Sequence, residues 1–157
     1  MAEAKLATDL SGQVAIVTGA GRGLGRKITQ FLAAAGARVA CVDISQDLAA
    51  ETVQLVQSAG GTAAAFACDV TDSQRVQGVV DEVVKTWGGL HILVNNAGIT
   101  RDGMLLRMKD EQWDAVLAIN LRGTFLFTRA AARPMLKQQR GRIINIASVS
   151  GLMGNPG

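Results

Sequence analysis

Residues Val14 to Gly25 read VAIVTGAGRGLG: a β-branched apolar run, a glycine-rich turn, and the start of an apolar helix pattern. A strand, turn and helix in this order present backbone N–H groups at a helix N-terminus, where hydrogen bonds and the helix dipole hold a phosphate. Glycine suits such a turn because it needs φ > 0 and because a Cβ would keep a pyrophosphate off the backbone. The glycines follow a G-x-x-x-G-x-G spacing, at Gly19, Gly23 and Gly25, with Arg22 and Leu24 between them. Asp43 is the second candidate, eighteen positions after Gly25 at the end of RVACVD. A carboxylate at the tip of a second strand accepts hydrogen bonds from an adenosine ribose 2′-OH and repels a 2′-phosphate, which favours NAD over NADP. Arg22 pulls the other way, because a guanidinium in the loop pairs with a phosphate. As a solvated loop residue it would do neither.

Composition narrows the remaining chemistry. The chain has 157 residues, 48% of them hydrophobic and 18% charged, which suits one domain with a real core and no low-complexity segment. A net charge of +3, without a basic run interleaved with aromatics, gives nucleic-acid binding little support. Cys41 and Cys68 each fall in an apolar strand pattern and read as core residues, and His91 reads as structural or surface. No cluster of ligand-type residues suggests a metal. The first twelve residues lack a signal-peptide core, and no window reaches eighteen uninterrupted apolar residues, so a soluble, cytoplasmic protein is expected.

These candidates need a scaffold, and the pattern alternates strand and helix throughout. Strands are expected near 13–18, 38–43, 63–68, 91–95 and 142–148. The helix after the glycine loop carries a stripe of Leu24, Ile28, Phe31, Leu32 and Ala35, and a second helix spans about 46–59. Thr71 with Gln74 forms a capping-box signature before the apolar face of Val76, Val79, Val80, Val83, Val84 and Trp87. A long helix is expected over about 111–138. Right-handed crossovers then give an α/β, Rossmann-like, doubly wound parallel sheet of order 3-2-1-4-5. Ligand binds such a sheet outside the carboxyl ends of strands one and four.

Asn95-Asn96-Ala97-Gly98, the loop TGAGRGLG, the turn Cys68-Asp69-Val70, Asn120 in AINLRG and Ser148 in IASVSG together resemble the short-chain dehydrogenase/reductases. The stretches GITRDGMLLRMK and GLMGNPG are similar to the bacterial 3-oxoacyl-[acyl-carrier-protein] reductases. The resemblance implies that Gly19, Gly23 and Gly25 line a pyrophosphate and that Asp69 and Val70 hold the adenine. It implies that Asn96, Ala97 and Gly98 pass beside the cofactor as backbone, while Asn95 braces the sheet. Ser148 would donate to the substrate carbonyl, and Asn120 would hold a water through a local distortion of the long helix. By chemistry alone Ser148 and Ser150 are both plausible caps, and only the resemblance selects Ser148. Asn120 is an unfavourable residue for a helix interior, which agrees with a special role.

The family's acid/base residue is a tyrosine four positions before a lysine, and this chain contains no tyrosine. The resemblance places that motif just past GLMGNPG. Residues 1–157 therefore read as the dinucleotide-binding part of a single reductase domain, ending before the last two strands of its sheet. In its complete form the expected activity is hydride transfer between NAD(P)H and a 3-oxoacyl thioester carried by acyl carrier protein or CoA. Alternatives are a dehydrogenase for another secondary alcohol or ketone, or a non-catalytic NAD-binding fragment. Arg133, Lys137, Arg140 and Arg142 suit docking of an acidic carrier, or equally a solvated helix end. The resemblance further implies a homotetramer in the complete form, while charge pattern and hydropathy lead to the expectation of no nucleic-acid and no membrane partner.

Overall fold

The computed structural model of the protein describes residues 8–154. Five parallel strands, β1 (Val14–Thr18), β2 (Arg38–Asp43), β3 (Thr62–Ala67), β4 (Ile92–Asn95) and β5 (Arg142–Asn145), form one sheet in the order β3-β2-β1-β4-β5. This is the expected order. Every residue of β1 and β4 is buried, as continuous apolar strands must be when helices cover both faces of a sheet. Helices α1 (Gly23–Ala34) and α2 (Gln46–Ser58) cover one face, and their core includes Val17, Val39, Ala49 and Val56. Helices α3 (Ser73–Trp87) and α5 (Gly123–Lys137) cover the other, around Val80, Val83, Leu93 and Phe127.

Local structure departs from the expectations in four places. The closest face of α1 is Gly25, Thr29 and Ala33, while Leu24 and Phe31 are 57% and 59% exposed. Small residues let α1 lie close to the sheet, and the bulkier stripe flanks the contact. Helix α3 starts at Ser73, capped by Asp72, whose carboxylate accepts from the N–H groups of Gln74 and Arg75. Thr71 is drawn instead into a turn by Asp69. The long helix is three segments: α4 (Asp110–Val116), a π-helical turn (Leu117–Arg122), and α5. Strand β5 ends at Asn145 rather than Ser148, and a short helix, α6 (Ser150–Met153), follows. All of β5 is exposed at the sheet edge, with Ile143 38% and Ile144 47% accessible.

The three principal site-bearing helix starts differ in their chemistry. Ser45 caps α2 by accepting from the Leu48 N–H, and Asp72 caps α3. Arg22, at the corresponding place before α1, makes no side-chain cap. The first-turn N–H groups of α1 are thus left without a side-chain acceptor from that residue. A helix start of this kind suits an anion.

Candidate functional site at the carboxyl edge of the sheet

Strands β1 and β4 lie side by side, with Val17 opposite Val94. From β1 the chain turns toward β2, and from β4 toward β5, so a crevice opens where the two directions part. The crevice encloses about 460 Å³. Gly19, Arg22, Leu24 and Gly25 line it from the glycine loop, and Asp43 lines it from the tip of β2. Asp69 and Val70 enter from the turn after β3, and Asn96, Ala97 and Gly98 from the segment after β4. Ten of the eleven residues singled out for cofactor contact thus meet on one wall. The eleventh, Gly23, opens α1 with φ +53°, and a Cβ there would meet nothing within 4 Å.

The wall is held by a short set of hydrogen bonds. The Thr18 hydroxyl accepts from the N–H groups of Asn96 and Ala97, both at 3.0 Å. The Asn96 amide returns, donating to the carbonyls of Thr18 at 2.9 Å and Gly19 at 3.2 Å. These bonds draw the loop of β1 against the loop of β4, and a Cβ on Gly19 would lie 3.0 Å from the Ala97 Cα. With φ +62° as well, position 19 requires glycine on two counts.

Asp43 accepts from the Gly21 N–H through Oδ2 at 2.9 Å and from the Ser45 N–H through Oδ1 at 3.1 Å. Each oxygen keeps lone-pair capacity for a further donor. Gly21 is a site residue that sequence reasoning missed. A Cβ there would fall 2.7 Å from Asp43 Oδ2 and 2.7 Å from the Leu48 Cβ. The glycine itself was visible, but its contact crosses between elements. Thr18 was read as the end of the first strand and the first residue of the TGAGRGLG loop, without a role of its own. Asp69 uses Oδ1 to accept from the Thr71 N–H and hydroxyl, both at 2.8 Å, so the turn role and the wall position coexist.

Neither Asn120 nor Ser148 lines the crevice, although Asn120 lies directly behind Gly98 and Ile99, which do. The Asn120 side chain pairs with the Ile99 backbone, accepting its N–H and donating to its carbonyl, both at 2.9 Å. Its own carbonyl sits in the π-turn and accepts the Thr124 hydroxyl at 2.8 Å. The helix is thus distorted where a distortion was expected. Ser148 is exposed beyond β5, with Oγ accepting the Ser150 N–H at 3.2 Å. Asn95 bridges β4 to β5 and α5, donating to Asn145 Oδ1 at 2.8 Å and Thr128 Oγ1 at 3.1 Å.

Both cysteines are buried thiols: burial pushes Cys41 up to about 12 and Cys68, beside the crevice, up to about 11. His91 has a structural task at the opposite end of the sheet. Its Nδ1 accepts the Val14 N–H at 3.1 Å. Burial first, then the charges of Arg140 and Arg38, hold its pKa below the usual histidine value. A base with a lowered folded pKa binds fewer protons folded than unfolded, so stability rises with pH. The His91 contribution is complete above roughly pH 6.5 and is lost as pH falls through the lowered value. In urea melts between pH 7.5 and 5, His91→Asn, which keeps an acceptor without a titrating group, should lose less stability than the native protein. Identical pH slopes would show that His91 carries no such term.

The family model for the short chain dehydrogenases matches residues 13–157, and the chain belongs to that family. It is 43% identical over 148 residues to the 3-oxoacyl-[acyl-carrier-protein] reductase FabG of Thermotoga maritima, covering 94% of this chain and 60% of that protein. A metagenomic short-chain oxidoreductase solved in complex with NADP superposes with a TM-score of 0.87 at 40% identity, over 94% of this chain and 66% of that one. An NAD+-bound xylitol dehydrogenase superposes with a TM-score of 0.90 at 35% identity, over 93% of this chain and 56% of that one. The chain spans about 60% of the length of the curated relatives it matches. Among the described residues no helix is long and apolar enough to cross a membrane.

Proposed function

We propose that residues 1–157 form the dinucleotide-binding part of a reductase domain that takes NAD in preference to NADP. The complete protein then reduces the C3 ketone of a 3-oxoacyl thioester to the 3-hydroxyacyl product. The observation that carries this reading is the convergence of the glycine loop, Asp43, Asp69 and the Asn96–Gly98 segment on one crevice at the carboxyl ends of β1 and β4. The open α1 N-terminus and the unblocked space beside Gly23 fit a pyrophosphate. Asp43, with spare acceptor capacity at the tip of β2, fits a ribose diol and opposes a 2′-phosphate. Asp69 and Val70 fit an adenine edge and face.

When bound, the reduced nicotinamide supplies the hydride. In this reading the Ser148 hydroxyl donates to the ketone oxygen as negative charge grows on it, and because Oγ takes the Ser150 N–H through a lone pair, its O–H is free to do so. The Asn120 carbonyl, exposed on the π-turn, holds a water for proton delivery. No residue in this chain is suited to protonate the alkoxide at neutral pH. By the family resemblance a tyrosine performs that step.

The curated relative's name supports the acyl-carrier-protein thioester. So does the exposure of Arg133, Lys137, Arg140 and Arg142 around the end of α5, which suits an acidic carrier. The exposed apolar residues Trp113, Leu117, Leu121 and Phe125, spaced by four along α4, the π-turn and α5, support self-association, and a homotetramer is the assembly proposed. A cytoplasmic location follows from the same reading.

The test assays the complete protein for NADH oxidation with acetoacetyl thioesters of CoA and acyl carrier protein and with simple ketones, and for NAD+ reduction with simple secondary alcohols. Turnover confined to the simple alcohols and ketones would replace the thioester reading. Binding of NADH without turnover of any of them would leave a non-catalytic dinucleotide-binding protein.

A further inference from the structure

Beneath the glycine loop, on the side of α1 and α2, a second set of polar groups touches the loop only through its carbonyls. The Thr52 hydroxyl, fully buried on α2, donates to the Ala20 carbonyl at 2.9 Å, its nearest acceptor, with the carbonyls of Leu48 at 3.2 Å and Gly21 at 3.4 Å further off. The same hydroxyl accepts the Arg26 Nε–H at 3.0 Å. Arg26, on α1, also donates through Nη2 to the Gly21 carbonyl and to Glu51 Oε2, the latter at 2.9 Å. Glu51 is more than half exposed, so its ion pair adds little by itself. The two carbonyl contacts are different in kind, because each fixes a whole planar peptide.

In the Ala20–Gly21 peptide, Thr52 holds the oxygen and Asp43 Oδ2 accepts the N–H at 2.9 Å. The plane is pinned at both ends. In the Gly21–Arg22 peptide, Arg26 holds the oxygen, so the Arg22 N–H, trans to it, points away from Arg26. Two consecutive peptides leading to the uncapped start of α1 therefore have their orientation set from below. Glycine at position 21 could otherwise rotate freely. A hydroxyl that accepts from a guanidinium while donating to a carbonyl is also polarised, which strengthens the second bond.

We infer that Thr52 and Arg26 are positioning residues for the proposed dinucleotide site: they hold the Ala20 and Gly21 carbonyls and so aim the loop's N–H groups and the Asp43 carboxylate. This rests on the reading of the crevice as a dinucleotide site. Neither side chain lines the crevice, so their effect travels through the loop backbone.

The test measures NADH and ADP-ribose binding by calorimetry, with hydrogen exchange of the loop, in the native protein, Thr52→Val and Thr52→Ser. Thr52→Val should weaken both ligands about tenfold, the range for losing a polarised hydrogen bond. Thr52→Ser, which restores the hydroxyl, should bind within about twofold of native by the same reasoning. Exchange at Gly21 should quicken in Thr52→Val while Leu93 and Val94 in β4 stay protected. That pattern separates loop positioning from general loss of stability. Should Thr52→Val fail to fold, Arg26→Gln at a partly exposed position must show the same weakening. Native affinity and native Gly21 exchange in the variants would overturn this inference and leave the dinucleotide reading standing. Absence of NADH and ADP-ribose binding in the native protein would remove both.

Discussion

Gly25→Ala should abolish measurable NADH binding, with dissociation constants raised by at least about a hundredfold on the scale of several lost contacts. Gly25 is buried in the first turn of α1, and a Cβ there would press on the Gly19 carbonyl oxygen and lie 2.6 Å from Asn96 Nδ2. Neither neighbour can yield. The Gly19 oxygen belongs to a tight turn, and the Asn96 amide is the group that clips the β1 loop to the β4 loop. Overpacking of this kind costs about 1–3 kcal/mol, and here it must displace the start of α1 from the crevice. Calorimetric titration with NADH measures the binding loss, and thermal melting measures the stability loss. Gly78→Ala is the control, because its Cβ would meet nothing within 4 Å on the exposed middle of α3. It should raise stability by about 0.5–1 kcal/mol, as glycine-to-alanine changes do in exposed helix interiors. Native affinity in Gly25→Ala would mean that the crevice is not where a dinucleotide binds.

Asp43→Asn should collapse the preference for NADH over NADPH by about tenfold to a hundredfold, the range for hydrogen bonds to a charged group. The substitution keeps the side-chain shape but removes the charge that opposes a 2′-phosphate. It also turns one acceptor into a donor facing a backbone N–H, either that of Gly21 or that of Ser45. The loop should loosen, so NADH binding weakens even as NADPH binding improves. Asp43→Ala removes both acceptors and should shift the ratio in the same direction with a greater loss of NADH affinity. Competition binding of the two reduced cofactors reads both effects. An unchanged ratio in both variants would detach Asp43 from the ribose and give Arg22 the leading role in selecting the cofactor.

Much of the architecture was legible because it rests on short-range rules. A β-branched run such as VAIVT, closed by a glycine turn, reads as a buried strand, and five strand-like runs of varied composition with helical spacers leave few sheet orders. The crevice followed from that order. What escaped depended on contacts between distant residues. Leu24 and Phe31 looked like the buried stripe of α1, yet the sheet lies close enough that Gly25, Thr29 and Ala33 make the contact. A distortion of the long helix at Asn120 was expected only from the resemblance; the residue pattern alone reads as one helix. The Thr124 hydroxyl and Asn120–Ile99 bonds that accompany the π-turn at 117–122 are contacts that the pattern does not display. Arg26 and Thr52 are unremarkable helix residues until α1 and α2 bring them beneath the loop. The roles of Ser148 and Asn120 are of another sort. They rest on resemblance, and the geometry here gives each a local hydrogen-bonding task besides.

The contact between Gly19 and Gly25 also bears on how this stretch can change over generations. Residues 20–24 form a ring closed at its base, where the Gly19 carbonyl meets the space in front of Gly25. One side of the ring is the buried end of β1, and the other is the start of α1 packed against the sheet. Codon changes within the ring at Arg22 and Leu24, whose side chains are exposed, leave that closure untouched. Insertion or deletion of a single codon would alter the circumference and force α1 out of register with its sheet. Lineages descending from this sequence should therefore vary positions 22 and 24 while keeping the loop's length.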